Sequence, residues 1–173
     1  MHNPSVRYFD EWRNAARSLL RAEVEPAQID FSDGWQPQSH FDFGDDAEDP
    51  SRASDDVTCR PRNAYTVPKP FLKLARSVAC HRNARRWNLL YRILWRLTHG
   101  VPELLEVVTD DDVYLARTWQ KQVGRDAHKM KAFVRFRSCA RDGDEWFIAW
   151  HRPDHRVVRT VAPFFADRFS SMK

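Results

Sequence analysis

The fold is decided by one stretch, Trp119-Gln-Lys-Gln-Val-Gly-Arg125-Asp-Ala-His128-Lys-Met-Lys-Ala-Phe133-Val-Arg135-Phe-Arg137. In its first part the apolar residues Trp119, Val123, Ala127 and Met130 recur at helical spacing. From Ala132 onwards the period becomes two, which is typical of a β-strand. The stretch therefore predicts the end of a long helix, from Val113 to about Lys131, that runs straight into a strand over residues 132–138.

A second strand is predicted immediately after this one. Arg141-Asp-Gly-Asp144 is a turn pattern, so residues 132–151 form a predicted antiparallel hairpin. Trp146, Ile148 and Trp150 share one face of it, which we expect to be buried in the core; a platform for unpaired bases is the alternative. Helical spacing also predicts helices at 8–22, 71–80, 84–99 and 156–169, the last kinked or split at Pro163. The predicted fold class is α+β, with several helices packed on a small antiparallel sheet containing this C-terminal-half hairpin.

Length and composition predict one folded domain with an acidic insertion. The chain has 173 residues, 42% of them apolar and 13% aromatic, which suits a single domain over residues 1–173. Between Asp42 and Asp56 seven residues are acidic, and no aliphatic side chain is larger than alanine. Such a segment cannot bury enough apolar surface to offset the entropy of ordering it. We therefore expect residues 36–60 to form a disordered insertion.

The remainder of the chain is basic. Residues 61–173 contain 22 Lys and Arg against 11 Asp and Glu, whereas residues 1–60 contain six against thirteen. A basic surface binds polyanions by contacting phosphates and releasing counterions. The charge balance therefore favours nucleic acid as the partner, and an Arg-rich surface without a partner is the alternative.

Three features indicate a cytoplasmic protein. The three cysteines are an odd number without a Cys-x-x-Cys pair, which favours reduced thiols over a disulfide framework. The first residues lack the charged-then-apolar pattern of a signal peptide. No apolar run approaches the roughly 18 residues of a membrane span. We therefore expect no membrane contact, and no pattern indicates an oligomeric state.

Cations form stripes on two predicted helices and on the first strand. Steps of three and four residues place Arg85, Arg92 and Arg96 on one side of helix 84–99. On the following helix the cations lie beside the apolar stripe. The candidate nucleic-acid contacts are Arg85, Arg92, Arg96, Arg117, Lys121, Arg125, Lys129, Arg135 and Arg137. Salt bridges within the protein, to Asp110–Asp112 or Asp126, are the alternative for these arginines.

His128 is the candidate acid or base. Together with Arg125, Asp126 and Lys129, and with His151 or His155 across the hairpin, it can serve a reaction on a phosphate. On a helix, however, Asp126 lies about 200° around the axis from His128, so it is poorly placed to orient the imidazole. Phosphate binding is therefore favoured over catalysis, because binding needs only cations on a common surface.

No metal or cofactor site is predicted. Asp110-Asp-Asp112 has the pattern of an acidic helix start, where the charges suit the helix dipole. His151 and His155 have a zinc-compatible spacing only on a helix, and Pro153 lies between them.

Four blocks of sequence resemble a known family. They are Arg125-Asp-x-His-Lys-Met-Lys-Ala-Phe-Val-Arg-Phe-Arg137, Trp12-Arg-x-Ala-Ala-Arg-x-Leu-Leu20, His81-Arg to Leu97, and Ala149-Trp150 to Phe169. The family is a DNA-metabolism domain of unassigned biochemical role that accompanies a radical-SAM protein or is fused ahead of a uracil-DNA-binding glycosylase domain of the UdgX type. The resemblance implies an accessory nucleic-acid-binding module in DNA repair or DNA metabolism, with DNA and one of these proteins as partners. An enzyme acting on nucleic acid or nucleotide through His128, and a protein-interaction scaffold for the partner enzyme, are the alternatives.

The chain departs from this family in two places. In the family a Trp-containing extended segment follows the position of Phe169 to Lys173, so we expect the sequence to be the N-terminal part of a longer chain. The chain also has neither a Gly-Glu-x-Pro-Gly-type loop nor a cysteine set for an iron–sulfur cluster. Uracil excision is therefore not implied for any residue here.

Overall fold

Five α-helices and two small two-stranded sheets make up the part of the chain that the structure describes. The computed structural model describes residues 2–34, 65–141 and 144–170, so the predicted insertion at 36–60 lies outside the described residues. In chain order the elements are β1 (Ser5–Val6), α1 (Phe9–Arg21), β2 (Ser32–Asp33), α2 (Lys69–Val78), α3 (Arg86–Thr98), α4 (Asp111–Phe133), β3 (Arg137–Arg141), β4 (Asp144–Ile148) and α5 (Val158–Arg168). The predicted α+β class is confirmed. Within the described ranges, no helix is long and apolar enough to cross a membrane.

The two sheets differ in direction. β1 and β2 pair in parallel, with Ser5 opposite Ser32. β3 and β4 form the predicted antiparallel hairpin, with Arg137 opposite Ile148 and Cys139 opposite Trp146. Residues directly opposite one another in an antiparallel pair share a face, so the register fixes which side chains of the hairpin lie together.

The predicted strand at 132–138 was wrong in its position. α4 continues to Phe133, and β3 begins only at Arg137. Between these two elements, the Arg135 guanidinium donates hydrogen bonds to the carbonyls of Ala132 and Val134. In a β-strand these carbonyls would instead accept hydrogen bonds from a neighbouring strand. The period of two still separates the faces as expected, because Val134 is buried whereas Phe133 and Arg135 are exposed.

The main hydrophobic core lies between α1, α2, α3 and the first turns of α4. At its centre the rings of Trp12 and Trp87 are stacked with centroids 6.3 Å apart, and the Trp12 indole N–H donates to the Trp87 carbonyl at 3.2 Å. Phe71 of α2 packs against the other side of Trp12. The buried Tyr91 hydroxyl donates to the Val24 carbonyl at 2.8 Å, so this core also holds the chain that follows α1.

A second, smaller core joins the C-terminal half of α4 to α5. Its buried residues are Val123, Met130, Val134, Val157, Val161 and Phe165. Phe136 contacts Phe165 and Phe169 edge to face, at 5.4 and 5.2 Å between centroids. The segment between α4 and β3 therefore covers this core.

The predicted burial of the tryptophan face of the hairpin was wrong. Trp146, Ile148 and Trp150 are 53%, 55% and 86% exposed. Because Val134 and Phe136 already cover the second core, the strands extend beyond it and have no apolar surface to pack against. Phe147, on the opposite face of β4, is only half-buried.

Pro163 neither splits α5 nor ends it. The helix is continuous over Val158–Arg168, so of the predicted kink or split, the split does not occur. Pro163 is exposed, so the carbonyl that its ring leaves without an amide partner lies on the solvent side, where the cost is smallest.

One buried ion network ties β2 to α3 and to the start of α5. The Arg86 side chain is fully buried, and its guanidinium donates to both carboxylate oxygens of Asp33 at 2.9 and 3.0 Å. Arg156 binds the same two oxygens at 2.7 and 3.1 Å. Arg86 also donates to the carbonyls of Ala79 and Asn83, both at 3.0 Å. Removing one of these partners would leave a buried charge unpaired, which strongly destabilises a folded protein.

We expect the Asp33 carboxyl to titrate at about pH 2 in the folded protein. Burial alone raises the pKa of a carboxyl, but hydrogen bonds and charges from Arg86 and Arg156 outweigh it and lower the pKa of Asp33 from 3.8 to about 2. The carboxylate therefore stabilises the fold above pH 3.8 and loses this contribution as the pH falls from 3.8 towards 2. The carboxyl ¹³C shift measures the midpoint by NMR, and a midpoint near 3.8 is incompatible with the network.

Candidate nucleic-acid interface

The outer face of α4 carries cations that have no acidic partner within the ranges described. Lys121, Arg125, His128 and Lys129, hereafter the α4 cation row, are exposed and join none of the ion pairs among residues 2–34, 65–141 and 144–170. From Lys121 to His128 the row extends about 10 Å along the helix axis. Together with Gly124 these residues border a shallow, open depression.

The opposite side of α4 explains why this row faces solvent. Trp119, Val123 and Met130 are buried there, as their spacing predicts, and hold the helix against α2, α3 and α5. At the start of α4 the Asp110 side chain accepts the Val113 N–H at 3.1 Å, which confirms the acidic helix start. The α4 cation row is therefore presented by a helix that is fixed at its start and along its buried side.

The arginines of α3 are differently placed, although their stripe is equally regular. Arg92 makes two hydrogen bonds to Asp112, at 2.7 and 3.2 Å. Arg96 makes two to Asp110, at 2.6 and 3.1 Å, and its hydrogen bond lowers the pKa of Asp110 below the ordinary value. These partners lie at the start of α4, roughly 14 Å along the axis from Lys121. Arg92 and Arg96 therefore form the salt bridges within the protein that were the alternative to nucleic-acid contact.

The other predicted contacts are distributed around the molecule. Arg117 is exposed but donates to the Leu105 carbonyl at 2.7 Å. Arg85 is exposed just before α3. Arg135 binds backbone carbonyls at the end of α4, and Arg137 is exposed at the first position of β3. Among the predicted residues, the structure therefore brings together Lys121, Arg125, His128 and Lys129.

The Asp126 carboxylate points away from His128, as the helical period predicts. Asp126 is buried and accepts the backbone N–H of His155 at 2.7 Å, so it holds the segment before α5 against α4. His128 is exposed within the α4 cation row and makes no hydrogen bond to a residue that the structure describes. Of the side chains predicted to act with His128, Arg125 and Lys129 therefore lie beside it in the α4 cation row, whereas the Asp126 carboxylate is directed away from it.

A cleft of about 420 Å³ lies between α4 and the segment that precedes α5. Its lining residues are Gln122, Arg125, Asp126, Lys129, Asp154 and His155. Arg125 and Lys129 thus belong both to the α4 cation row and to this cleft. The Arg125 and Lys129 side chains at its edge can bind a phosphate by charge-assisted hydrogen bonds, whereas the Asp126 and Asp154 carboxylates in the same lining balance their charge.

The His155 ring, which lines this cleft, is backed by a second histidine ring. The His155 ring lies 4.4 Å from the His81 ring, which in turn stacks on Trp119 at 4.5 Å between centroids. His81 Nδ1 accepts a hydrogen bond from the Asn83 N–H at 3.2 Å. The ring proton is therefore on Nε2, which donates a hydrogen bond to the amide oxygen of Gln122 at 2.9 Å. Burial lowers the pKa of His81, so this ring is neutral at pH 7 and serves to position its neighbours.

Sequence patterns missed several residues that shape this side of the molecule. Asp33, Arg86 and Arg156 form the buried network, yet Arg86 differs from its exposed neighbour Arg85 only in tertiary contacts. The position of His81 behind the cleft could not be predicted, because its partners Trp119 and His155 are distant in the chain. Arg85 and Arg86 are adjacent at the start of α3, and nothing in the neighbouring sequence indicates which of the two is buried.

Comparison with known proteins yields one match. No curated protein and no solved structure matches the chain. A family model described as a domain of unknown function, DUF4130, matches residues 84–173, which is just over half of the 173 residues. The matched region contains α3, α4, the hairpin and α5, and therefore the whole α4 cation row. The chain belongs to the DUF4130 family of domains of unknown function.

Proposed function

We propose that the protein is an accessory nucleic-acid-binding module in DNA repair or DNA metabolism, which contacts phosphates through the α4 cation row. The observation that carries this proposal is that Lys121, Arg125, His128 and Lys129 are exposed together without an acidic partner among the described residues. Arg92 and Arg96, by contrast, are already held by Asp112 and Asp110. A cation contributes to phosphate binding when its approach displaces counterions rather than an existing salt bridge.

The dimensions of the row agree with this role. Phosphates follow one another about every 3.4 Å along the axis of one DNA strand, so the roughly 10 Å row reaches about three phosphates. Contacts of this kind position a nucleic acid without reading its sequence.

The DNA context of the proposal is supported by the resemblance of four sequence blocks to the DNA-metabolism family. That resemblance also suggests the partner, a uracil-DNA glycosylase domain or a radical-SAM enzyme that acts on the DNA held by this module. The module itself supplies affinity for the phosphate backbone, and the partner supplies the chemistry. If the chain bound such an enzyme but no DNA, the protein-interaction alternative would be selected instead.

We expect Lys121→Glu/Arg125→Glu to weaken DNA binding at least about tenfold at low salt. Two phosphate contacts are lost, so the slope of log affinity against log salt becomes shallower by about two. Fluorescence anisotropy of a labelled oligonucleotide, titrated between about 20 and 200 mM salt, measures both quantities.

The matched control is Lys69→Glu/Lys73→Glu on α2, which makes the same change of charge at two exposed lysines with the same four-residue spacing. We expect this control to retain most of the affinity. Equal weakening in both variants would mean that only the net charge matters, and an absence of DNA binding by the wild-type protein at low salt would refute the proposal.

A further inference from the structure

The hairpin presents an apolar face that no described part of the chain covers. Trp146 and Ile148 alternate along β4, Trp150 follows two residues beyond the strand, and all three are exposed. Tryptophan is rarely left in water to this extent, because its side chain offers one of the largest apolar surfaces of any residue. Both hydrophobic cores are complete without these side chains. A contiguous aromatic patch of this kind marks a binding surface.

The charges around the patch favour an anionic occupant at one end. Arg137 is directly opposite Ile148 in the hairpin register, so its exposed side chain shares the face of the patch. Arg152, also exposed, follows Trp150 by two residues. Asp144 lies on this face at the turn end of β4, whereas Glu145 is on the opposite face, where it binds Ser138. The positive end of the patch is therefore the end that carries Ile148 and Trp150.

The patch is too small for a stable protein interface on its own. A fully covered tryptophan buries roughly 150–250 Å², so two of them and one isoleucine supply roughly 500 Å². A specific protein interface needs about 800 Å² from each partner. A single-stranded nucleic acid does not need such an area, because each unpaired base that stacks on an indole contributes affinity separately.

We propose that Trp146 and Trp150 form a stacking platform for the bases of a single-stranded nucleic acid whose phosphates are contacted by Arg137 and Arg152 at the positive end of the patch. The proposal rests on the function proposed above and specifies its substrate as an unpaired strand. Trp146 and Trp150 are four residues apart, which corresponds to about 13 Å in an extended chain, so there is room for a flat base at each indole. In a duplex the faces of the bases are covered by their neighbours, so the platform selects unpaired bases.

The test compares three DNA probes at one salt concentration with the full-length chain. The probes are a dT oligonucleotide of about ten residues, an abasic oligonucleotide of the same length, and a duplex. We expect the dT probe to bind more tightly than the abasic probe, because only the former has bases to stack. In Trp146→Ala/Trp150→Ala the affinity for the dT probe falls at least about 30-fold, the effect of losing two stacked bases, while the affinity for the abasic probe is unchanged.

Two controls separate stacking from loss of structure. Tyr114→Ala removes an exposed aromatic residue near the start of α4, and it leaves binding of all three probes unchanged. Trp146→Phe/Trp150→Phe retains aromatic faces and keeps most of the affinity for the dT probe. Because both tryptophans are exposed, the alanine variant unfolds at the wild-type urea concentration.

The possible outcomes distinguish this proposal from the one on which it rests. Equal, salt-dependent binding of the dT and abasic probes overturns the stacking platform but leaves phosphate binding by the α4 cation row intact. Failure to bind any probe overturns both. If the wild-type chain is a dimer at micromolar concentration and Trp146→Ala/Trp150→Ala is a monomer, the patch is a contact between two copies, and the stacking platform is again overturned.

Discussion

Asp33→Asn is expected to lower the free energy of unfolding by about 3–5 kcal/mol, the cost of removing one partner from a buried ion pair. Arg86 is fully buried and pairs with Asp33 through two hydrogen bonds, so the substitution leaves a guanidinium in the interior without a counter-charge. Domains of this size have roughly 5–15 kcal/mol of stability in total. The variant therefore unfolds at a much lower urea concentration, which the loss of far-UV circular dichroism measures.

The control for this prediction is Asp10→Asn, which removes the carboxylate of an exposed pair. Asp10 lies 3.7 Å from Arg13, and its side chain is 75% exposed. Exposed pairs contribute at most about 1 kcal/mol, so this variant remains close to the wild type. A similar small loss for Asp33→Asn would show that Arg86 finds another partner or reaches solvent, and the buried network would have no structural role.

A fragment restricted to residues 84–173, the region matched by the family model, is expected not to fold cooperatively. The fragment lacks Trp12, which stacks on Trp87 in the main core, and Asp33, which holds Arg86. It also lacks α2, whose side chains pack along α4. Removing them exposes the apolar face of α3 to water and leaves a buried charge without its partner.

Circular dichroism and a dye that binds exposed apolar surface measure this second effect. The full chain serves as the control, with a sharp urea transition and a near-UV signal from its packed tryptophans. We expect the fragment to lose the near-UV signal, bind the dye and unfold gradually. A sharp transition with a native near-UV spectrum would show that residues 84–173 are a domain by themselves, and the prediction of one domain over residues 1–173 would be wrong.

The helices could be predicted from sequence because their signals are local. All five lie within two residues of the bounds that the apolar spacing predicts, and Asp110 caps α4 where the acidic start indicates. The strands were harder, since β3 starts five residues later than expected. An alternating run such as Phe133 to Arg137 is compatible with a strand, yet Val134 and Phe136 are used here to cover the second core. That use depends on Phe165 and Phe169 of the C-terminal segment.

The candidate site was predicted in part. The stripe of Lys121, Arg125 and His128 follows from the helical period, and so does the direction of Asp126 away from His128. The cleft that contains His155, and the stacking of His81 on Trp119, could not be predicted from the sequence, because they join segments that are distant in the chain. The predicted burial of Trp146 and Trp150 was wrong for the same reason. A period of two assigns side chains to a face of the hairpin, but it does not say whether another element covers that face.

The sequence by itself determined the five helices, the hairpin and the polar side of α4, because periods of 3.6 and two residues are properties of neighbouring residues. Only the tertiary structure decided which of the cations on α3 and α4 are free of an acidic partner among the described residues and can contact a phosphate. Arg92 and Arg96 lie on as regular a stripe as Lys121 and Arg125, but Asp112 and Asp110 pair with the first two alone. Pairing and burial depend on which elements meet across the fold, and contacts between distant parts of the chain leave no period in its sequence.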